Sequence, residues 1–449
     1  MTPRRDAGFV EVLRNQAFLR LWVVQALSQT AQNMINFALL ILVRQIVETQ
    51  QLTQANTAIS LLVLAFSSPA VLFSAVAGVV VERNDKRTVM VISNGLRAVG
   101  VLGFLALDPS WPPLLTLAAL YIITFFLGTV GQFFGPAQAA AIPAIVNPRE
   151  LLSANALFNL TFTGSQILGF AALGPIAIKL LGVENTLVGI LALYILTTAL
   201  ALLLPRTPPV ARADTSETAA LRRFVDEARE GIVFVLQSPI LIKAIVYLTL
   251  ATTTYLMIAA LGPEFIVTVL KLPSEDIAYI VAPAGLGVVV GALLVNKAAR
   301  YIRPARLVDY GLISAGIWLG LFALSEPIGS LFGFGGDTVA RGVTVFAVGC
   351  AAMLGISNAF ILVPSQTLLQ AGSPQGGLAR VYATYFTISN VASFAPVLFA
   401  GAFADLFGVL KVIIFIAALL VVIGVYNLRH QFASLPSEAG APAPPEPID

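Results

Sequence analysis

Gly78-Val-Val-Val-Glu82-Arg83-Asn84-Asp85-Lys86-Arg87 is a charged interruption between two apolar runs, roughly residues 56–81 and 88–107. A charged side chain at the centre of a bilayer costs about 3 kcal/mol or more. The segment is therefore read as a tight hairpin in water or headgroups, joining two membrane-spanning helices. Its Lys and Arg outnumber its acids, which marks the face expected to be cytoplasmic.

The pattern repeats outward from the hairpin. The chain has 449 residues, 58% apolar and 11% charged, where a soluble protein carries about 25% charged residues. Apolar stretches run over residues 18–46, 56–81, 88–107, 112–134, 152–180, 184–204, 239–270, 277–296, 306–325, 339–363, 380–404 and 408–428. Each is near or above the ~20 residues a helix needs to cross the hydrocarbon. The expected fold is an all-α membrane protein of twelve transmembrane helices in two pseudo-symmetric six-helix bundles. Of the 26 Lys and Arg residues, only Arg44, Lys179, Lys271, Arg341 and Lys411 fall at the face opposite the N-terminus, while Arg97 and Lys243 lie within spans. Both termini are thus expected in the cytoplasm and the protein in the cell (inner) membrane. The first twenty residues lack the short apolar core and small-residue cleavage site of a removable signal peptide.

Five segments follow: a cytoplasmic N-terminal segment (1–17), an N-terminal bundle (18–204), a cytoplasmic linker (205–238), a C-terminal bundle (239–430) and a disordered tail (431–449). In the linker, Leu221, Phe224, Val225, Ala228, Ile232 and Val235 recur at helical spacing with charges opposite, the pattern of an amphipathic helix at the membrane surface. The halves echo one another. Phe134-Gly-Pro-Ala-Gln138 matches Leu362-Val-Pro-Ser-Gln366, both read as following their spans. Pro69 and Gly78 match Pro283 and Gly291, and Pro175 matches Pro396. Spans two, five, eight and eleven each carry a proline, which removes a helical hydrogen bond and bends the helix. Gly164, Gly169 and Gly174 add sites of close helix approach. Two bent bundles rocking about a central site fit this pattern.

Candidate substrate contacts start with a polar stripe on span one: Gln25, Gln29, Gln32 and Asn36, with Ser28 and Asn33 beside them. Amides in hydrocarbon need helix partners or water in a cavity. Asn155, Asn159, Thr163 and Gln166 form a shorter stripe on span five. Tyr247, Thr254 and Asn358 are the candidates in the second half. Ionisable groups inside the membrane are functional candidates by default. Glu264 is the candidate for proton coupling, set against an outer-rim carboxylate that never leaves the headgroups. Arg44 and Glu48, four apart, are expected to pair on that rim. One cysteine and one histidine rule out a disulfide within the chain and disfavour metal chemistry. There is no phosphate-binding loop and no nucleophile with a histidine in reach, so neither an enzyme nor a cofactor is expected.

These motifs resemble the major facilitator superfamily from about Leu13 to Arg429. Its hairpin signature is Gly, three residues, Asp, Arg or Lys, then further basic residues. Gly78, Arg83, Lys86 and Arg87 match, Glu82 stands where Asp is usual, and Asp85 replaces a usual glycine. Leu13-Arg-Asn-Gln-Ala-Phe-Leu-Arg-Leu-Trp22, Phe133-Phe-Gly-Pro-Ala-Gln138, Ser153-Ala-Asn-Ala-Leu157 and Pro364-Ser-Gln-Thr-Leu-Leu-Gln370 are similar to the efflux branch that includes macrolide exporters, enterobactin exporters and lysophospholipid transporters. The resemblance implies that spans one, four, seven and ten line the cavity. It also implies that Gly78, Glu82, Arg83, Lys86 and Arg87 serve gating, with Glu82 stabilising an outward-facing state; Arg97, mid-way along the third span, is grouped with the gate and expected to hold helix ends together rather than touch substrate. The expected function is export of a small amphipathic or hydrophobic, drug-like compound by alternating access, with proton antiport. A lysophospholipid or siderophore transporter is the alternative, and a non-transporting membrane scaffold or sensor the rival of another class. Expected partners are the small-molecule substrate, the proton and the lipid bilayer, with no nucleic acid and a monomeric protein.

Overall fold

The computed structural model describes residues 9–207 and 232–429, apart from positions 51, 53, 109, 148, 272–277, 332–336 and 374–377. The described residues are helical, with no strand. In chain order the long helices are α1 (Gln16–Thr49), α2 (Ala55–Arg83), α3 (Lys86–Leu105), α4 (Pro113–Ile145), α5 (Leu151–Gln166), α6 (Gly174–Ala201), α7 (Pro239–Thr268), α8 (Ala278–Ala298), α9 (Pro304–Ala323), α10 (Asp337–Ala371), α11 (Leu378–Phe407) and α12 (Val409–Arg429). Short helices Phe9–Arg14 and Ser325–Leu331 flank them. Among the described residues ten helices are long and apolar enough to cross a membrane. The fifth crossing is split and the apolar part of the eighth, Ile280–Val295, is shorter, which fits twelve crossings. The face holding the Gly78–Arg87 hairpin is called the hairpin face below, and its opposite the far face.

Two glycines close the duplicated turns. Between the fifth and sixth crossings Gly182 has φ 79°, and between α11 and α12 Gly408 has φ 89°. Each sits before a valine, in Leu181-Gly182-Val183 and Phe407-Gly408-Val409. The left-handed conformation costs an L-residue with a Cβ roughly 1–2 kcal/mol, so glycine ends one helix and lets the next begin.

The fourth and tenth spans are longer than their apolar runs suggest. Pro136 and Gln138 lie inside α4, and Pro364 and Gln366 inside α10, rather than after the spans. Ala139-Ala140-Ala141 and Leu368-Leu369 are strong helix formers, and neighbouring helices re-satisfy the groups a proline frees. Pro69, Pro283 and Pro396 are helix-internal as expected. Pro175 is not: it opens α6 directly after a π-helical turn, Ile167–Leu173, so the bend of the fifth crossing begins in that turn. There Gly169 packs on the α1 backbone at Thr30 and Met34, and Gly174 on Phe37, whereas Gly164 meets nothing.

Small residues set the crossings in both halves. A Cβ on Gly128 of α4 would run into Phe66 and Pro69 of α2. In the second half, a Cβ on Gly355 of α10 would overlap the Ala284 carbonyl beside Pro283, and one on Gly287 of α8 would overlap that of Ala352. The proline-bent second helix of each half therefore lies directly on the fourth, at a distance only small residues permit.

The first eight residues, residues 208–231 and the tail beyond Arg429 lie outside the described residues, and with them most of the expected linker helix. Its last turn, 232–237, is helical. Val235 is buried there against Leu241, Leu369 and Val381 of the second half, so the linker docks on the C-terminal bundle through that turn.

Candidate functional site

The apolar core shows how the halves are joined. On the far-face side one continuous core draws on both, from Ile35 and Ile59 to Phe265, Val397 and Ala400. On the hairpin-face side there are two cores. One contains Val12, Leu21, Val24, Phe134 and Ala154 from the first half, and the other Val235, Leu241, Leu369 and Tyr385 from the second. Among the described residues, the bundles share one core at the far face and keep separate cores at the hairpin face.

Polar contacts reinforce the far-face seal. Arg44, 5% exposed, donates through Nε to Glu48 at 2.7 Å and through Nη1 to Glu264 at 2.8 Å. The rim pair expected from the sequence forms, and its arginine also reaches across the halves to the carboxylate expected to couple protons. Asp405, at the end of α11, caps the start of α2: Oδ1 accepts from Asn56 N at 3.0 Å and Nδ2 at 2.9 Å, and Oδ2 from Thr57 N at 2.9 Å and Oγ1 at 2.5 Å. α2 has no side-chain cap of its own, so the other half supplies the acceptor that its first N–H groups require. One turn on, Gly401 lies against Ser60 and the Asn56 carbonyl. Arg44, Glu48, Asn56, Glu264 and Asp405 together line a far-face pocket of about 390 Å³.

The amide stripe of α1 divides. Gln25, 1% exposed, donates to the Phe158 carbonyl of α5, and Gln32 to Asn36, with the Tyr194 hydroxyl of α6 donating to Gln32 Oε1 at 3.3 Å. Both are turned into the first bundle, which corrects their reading as cavity lining. Positions 25, 28 and 32 share a line that meets α3, α5 and α6, and 29, 33 and 36 a second line next to it. Gln29, Asn33 and Asn36 are half-buried, and Asn33 packs beside Gly169. Of the second stripe, Asn155 is exposed and donates to its own helix at Leu151, while the side chains of Asn159 and Thr163 lie outside those described.

Tyr247 also departs from its expected place. It is 3% exposed and donates to Asp309 Oδ1 of α9 at 2.8 Å, with Asn427 Nδ2 of α12 donating to its hydroxyl at 3.4 Å. It braces the interior of the second bundle instead of lining a path. Thr254 and Asn358 stay half-buried, Asn358 with a buried Oδ1 that finds no protein donor. α7 and α11 are held by three hydroxyl contacts, Thr249 to Ser389, Thr252 to Tyr385 and Thr253 to Ser393.

Asp309 escaped the sequence reading. It is 4% exposed, yet it lies three residues after Arg306 and blends into the basic end of its span. The signal that would have found it is helical phase: Asp309 shares the face of Leu312 and Gly316, which are buried.

In the hairpin, the Lys86 ammonium curls back to the carbonyls of Glu82 at 3.1 Å and Asn84 at 3.0 Å, closing the C-terminal end of α2 with a cation, as its dipole favours. Asp85 caps α3 through Thr88 and also accepts from Thr207 N at 2.7 Å, beyond α6. Its partial burial pushes the carboxyl pKa up, but the hydrogen bonds from Thr207 and Thr88 outweigh this and hold it below the ordinary value. Asp85 thus has a capping task that a glycine there would not perform. Glu82 and Arg83 are exposed and Arg87 half-buried, and nothing lies within contact of a Cβ on Gly78. Arg97 lies within its span as expected, buried in the first bundle and bonded to Ser28.

Two bent, duplicated bundles sealed at one end match a known family, and residues 21–397 fit the model of the Major Facilitator Superfamily. The chain belongs to the major facilitator superfamily. Membership makes it a multi-pass membrane transporter rather than an enzyme. It is 24% identical over 386 residues to the uncharacterized MFS-type transporter YfiS of Bacillus subtilis (strain 168), covering 84% of this chain and 85% of that one. It is 26% identical over 350 residues to the enterobactin exporter EntS of Escherichia coli O6:K15:H31 (strain 536 / UPEC), covering 77% and 76%. The crystal structure of the nucleoside transporter NupG superposes with a TM-score of 0.68 at 15% identity, over 93% of this chain and all of that one. At that identity the likeness concerns the fold.

Proposed function

We propose that this superfamily member exports a small amphipathic or hydrophobic compound by alternating access, and that the arrangement described here is its inward-facing state. The hairpin face is then cytoplasmic, as the Lys and Arg distribution requires. The observation that carries the reading is one core shared at the far face against two separate cores at the hairpin face. A scaffold that moves nothing has no need of an unsealed end. Substrate meets Gln29, Asn33 and Asn36 of α1 across from Thr254 and Asn358. Kinship to an enterobactin exporter favours a second reading in which the cargo is a siderophore-like molecule, whose hydroxyl and amide groups suit an amide-lined path.

The proposed coupling is proton antiport. Glu264 suits a part in it, because its partner Arg44 belongs to the other half and the pair must separate when the far face opens. The test is uptake into inside-out proteoliposomes, with drug-like cations and catecholate siderophores as probes, with and without an imposed pH gradient. Transport accelerated by an acid interior is expected. Transport indifferent to the gradient removes antiport, and absence of transport across both probe classes removes the export reading.

A further inference from the structure

Arg97 is 3% exposed, and no carboxylate pairs with it among the described residues. Its Nη1 donates to Ser28 Oγ at 3.0 Å, and its guanidinium lies 4.4 Å from the Phe134 ring centroid and 5.9 Å from that of Tyr194. A cation over an aromatic face gains about 0.5–2 kcal/mol, whereas withdrawing an ion from water costs several. Two rings and a hydroxyl leave this charge undercompensated. Its Nε has no protein acceptor.

Further buried polar atoms without protein partners lie on the three helices that meet at Arg97: both amide atoms of Gln138, Asn94 Nδ2 and Gln25 Oε1. Gln138 and Asn94 are fully buried and Gln25 is 1% exposed. Helical register brings them together. Gly131, Phe134 and Gln138 stand at i, i+3 and i+7 on one face of α4, and that face meets Arg97, whose Nη2 would lie 3.6 Å from a Cβ on Gly131. Asn94 precedes Arg97 by one turn on α3, and Gln25 precedes Ser28 by one turn on α1. Ser28 Oγ touches both Asn94 Oδ1, at 2.8 Å, and Arg97. α1 and α3 run away from the hairpin face and α4 runs back to it, so all three amides lie in a layer on the hairpin side of the Arg97 guanidinium, Asn94 and Gln25 by about 4.5 Å of helix rise from Arg97 and Ser28, and Gln138 by about 6 Å from Phe134.

We propose that this layer is a binding site for a small monovalent inorganic anion of halide size, enclosed within the N-terminal bundle and separate from the substrate path. Such an anion supplies the missing counter-charge and accepts from Arg97 Nε, Asn94 Nδ2 and Gln138 Nε2 together. Primary amides carry two N–H groups each, so a second N–H serves Gln25 Oε1. A spherical anion makes no directional demand, which suits donors arriving from two helices. The complete burial of these groups excludes larger organic anions.

The experiment uses the purified full-length protein. Its melting temperature is measured in sodium chloride and in sodium gluconate at equal ionic strength. A saturable rise of several degrees in chloride is expected, since a ligand that binds only the folded state stabilises it by mass action. The rise should vanish in Gln138→Met and in Asn94→Leu, whose side chains approximate the amides in size without their N–H groups. Crystals grown in bromide should show an anomalous peak within hydrogen-bonding distance of Arg97 Nε. Identical melting in both salts with no bromide peak overturns the proposal and leaves water as the partner of these groups. A chloride effect that persists in both variants overturns it as well, because the anion then acts elsewhere.

Discussion

Asp405, the third residue from the end of α11, caps α2 at Asn56 across 349 residues of sequence. Loss of a helix cap costs about 1 kcal/mol, and the two Thr57 contacts go with it. Asp405→Ala should therefore shift the balance of states toward far-face opening by roughly fivefold or more, as 1.4 kcal/mol corresponds to tenfold. A single cysteine at Ser60, which is fully buried under Gly401, in a Cys350→Ala background reports this through its rate of alkylation by a membrane-impermeant maleimide. A rate unchanged by Asp405→Ala would show that the cap does not hold the seal.

Glu82 sits at the opposite end of α2, exposed at the separated hairpin face. A carboxylate facing a helix N-terminus gains up to ~1 kcal/mol, and α11 begins on that face. Closing the hairpin face would bring the two together. Glu82→Gln is expected to populate the inward-facing state at the expense of the outward-facing one, slowing transport several-fold while leaving the affinity for a bound probe within about twofold. The space beside Gly78 gives an independent check: Gly78→Leu is accommodated in the state described here and should obstruct closure. Unchanged transport and accessibility in both variants would contradict a gating role.

Asp85 links the hairpin to Thr207, and its pKa is lowered in the folded protein. A depressed carboxylate contributes stability above its unfolded pKa and loses it as pH falls through the folded value. The contribution should fade on acidification below about pH 4. Asp85→Asn should lower the melting temperature at neutral pH and flatten the acid limb of its pH dependence. Equal acid limbs in both proteins would show that other carboxylates govern that limb.

The fold was legible because bilayer physics writes it in long runs: twelve apolar stretches, a charged hairpin and matched prolines suffice. The site was legible only in part. Gln29 and Gln32 stand three apart on one polar stripe, and which of them meets a bundle interior depends on a few tens of degrees of helix rotation, set by packing against α5 and α6. Tyr247 reads as a cavity aromatic until Asp309 is placed beside it, a contact 62 residues away that no local pattern encodes. Asp405 likewise reads as a loop acid after an apolar run, and its meaning comes from the start of another helix in the other half.

Tyr247 and Asp309 make a partnership whose asymmetry can be measured. A buried acceptor stripped of its donor carries its full desolvation penalty, whereas replacing both members by apolar groups removes the demand altogether. Tyr247→Phe leaves the Asp309 carboxylate with Asn427 as its neighbouring donor and should destabilise the protein by about 3 kcal/mol. Asp309→Asn keeps an acceptor for the hydroxyl and should cost less. The double variant Tyr247→Phe/Asp309→Leu should recover much of the loss, giving a coupling energy well outside additivity. Denaturation of the four proteins in one detergent provides the cycle. Additive losses would mean that the two side chains are held by their own helices, with the contact between them contributing nothing. If the cycle shows coupling and Asp309→Asn also abolishes the response to a pH gradient, while substrate exchange without a gradient continues, Asp309 is a coupling carboxylate in the proposed antiport, a part proposed above for Glu264.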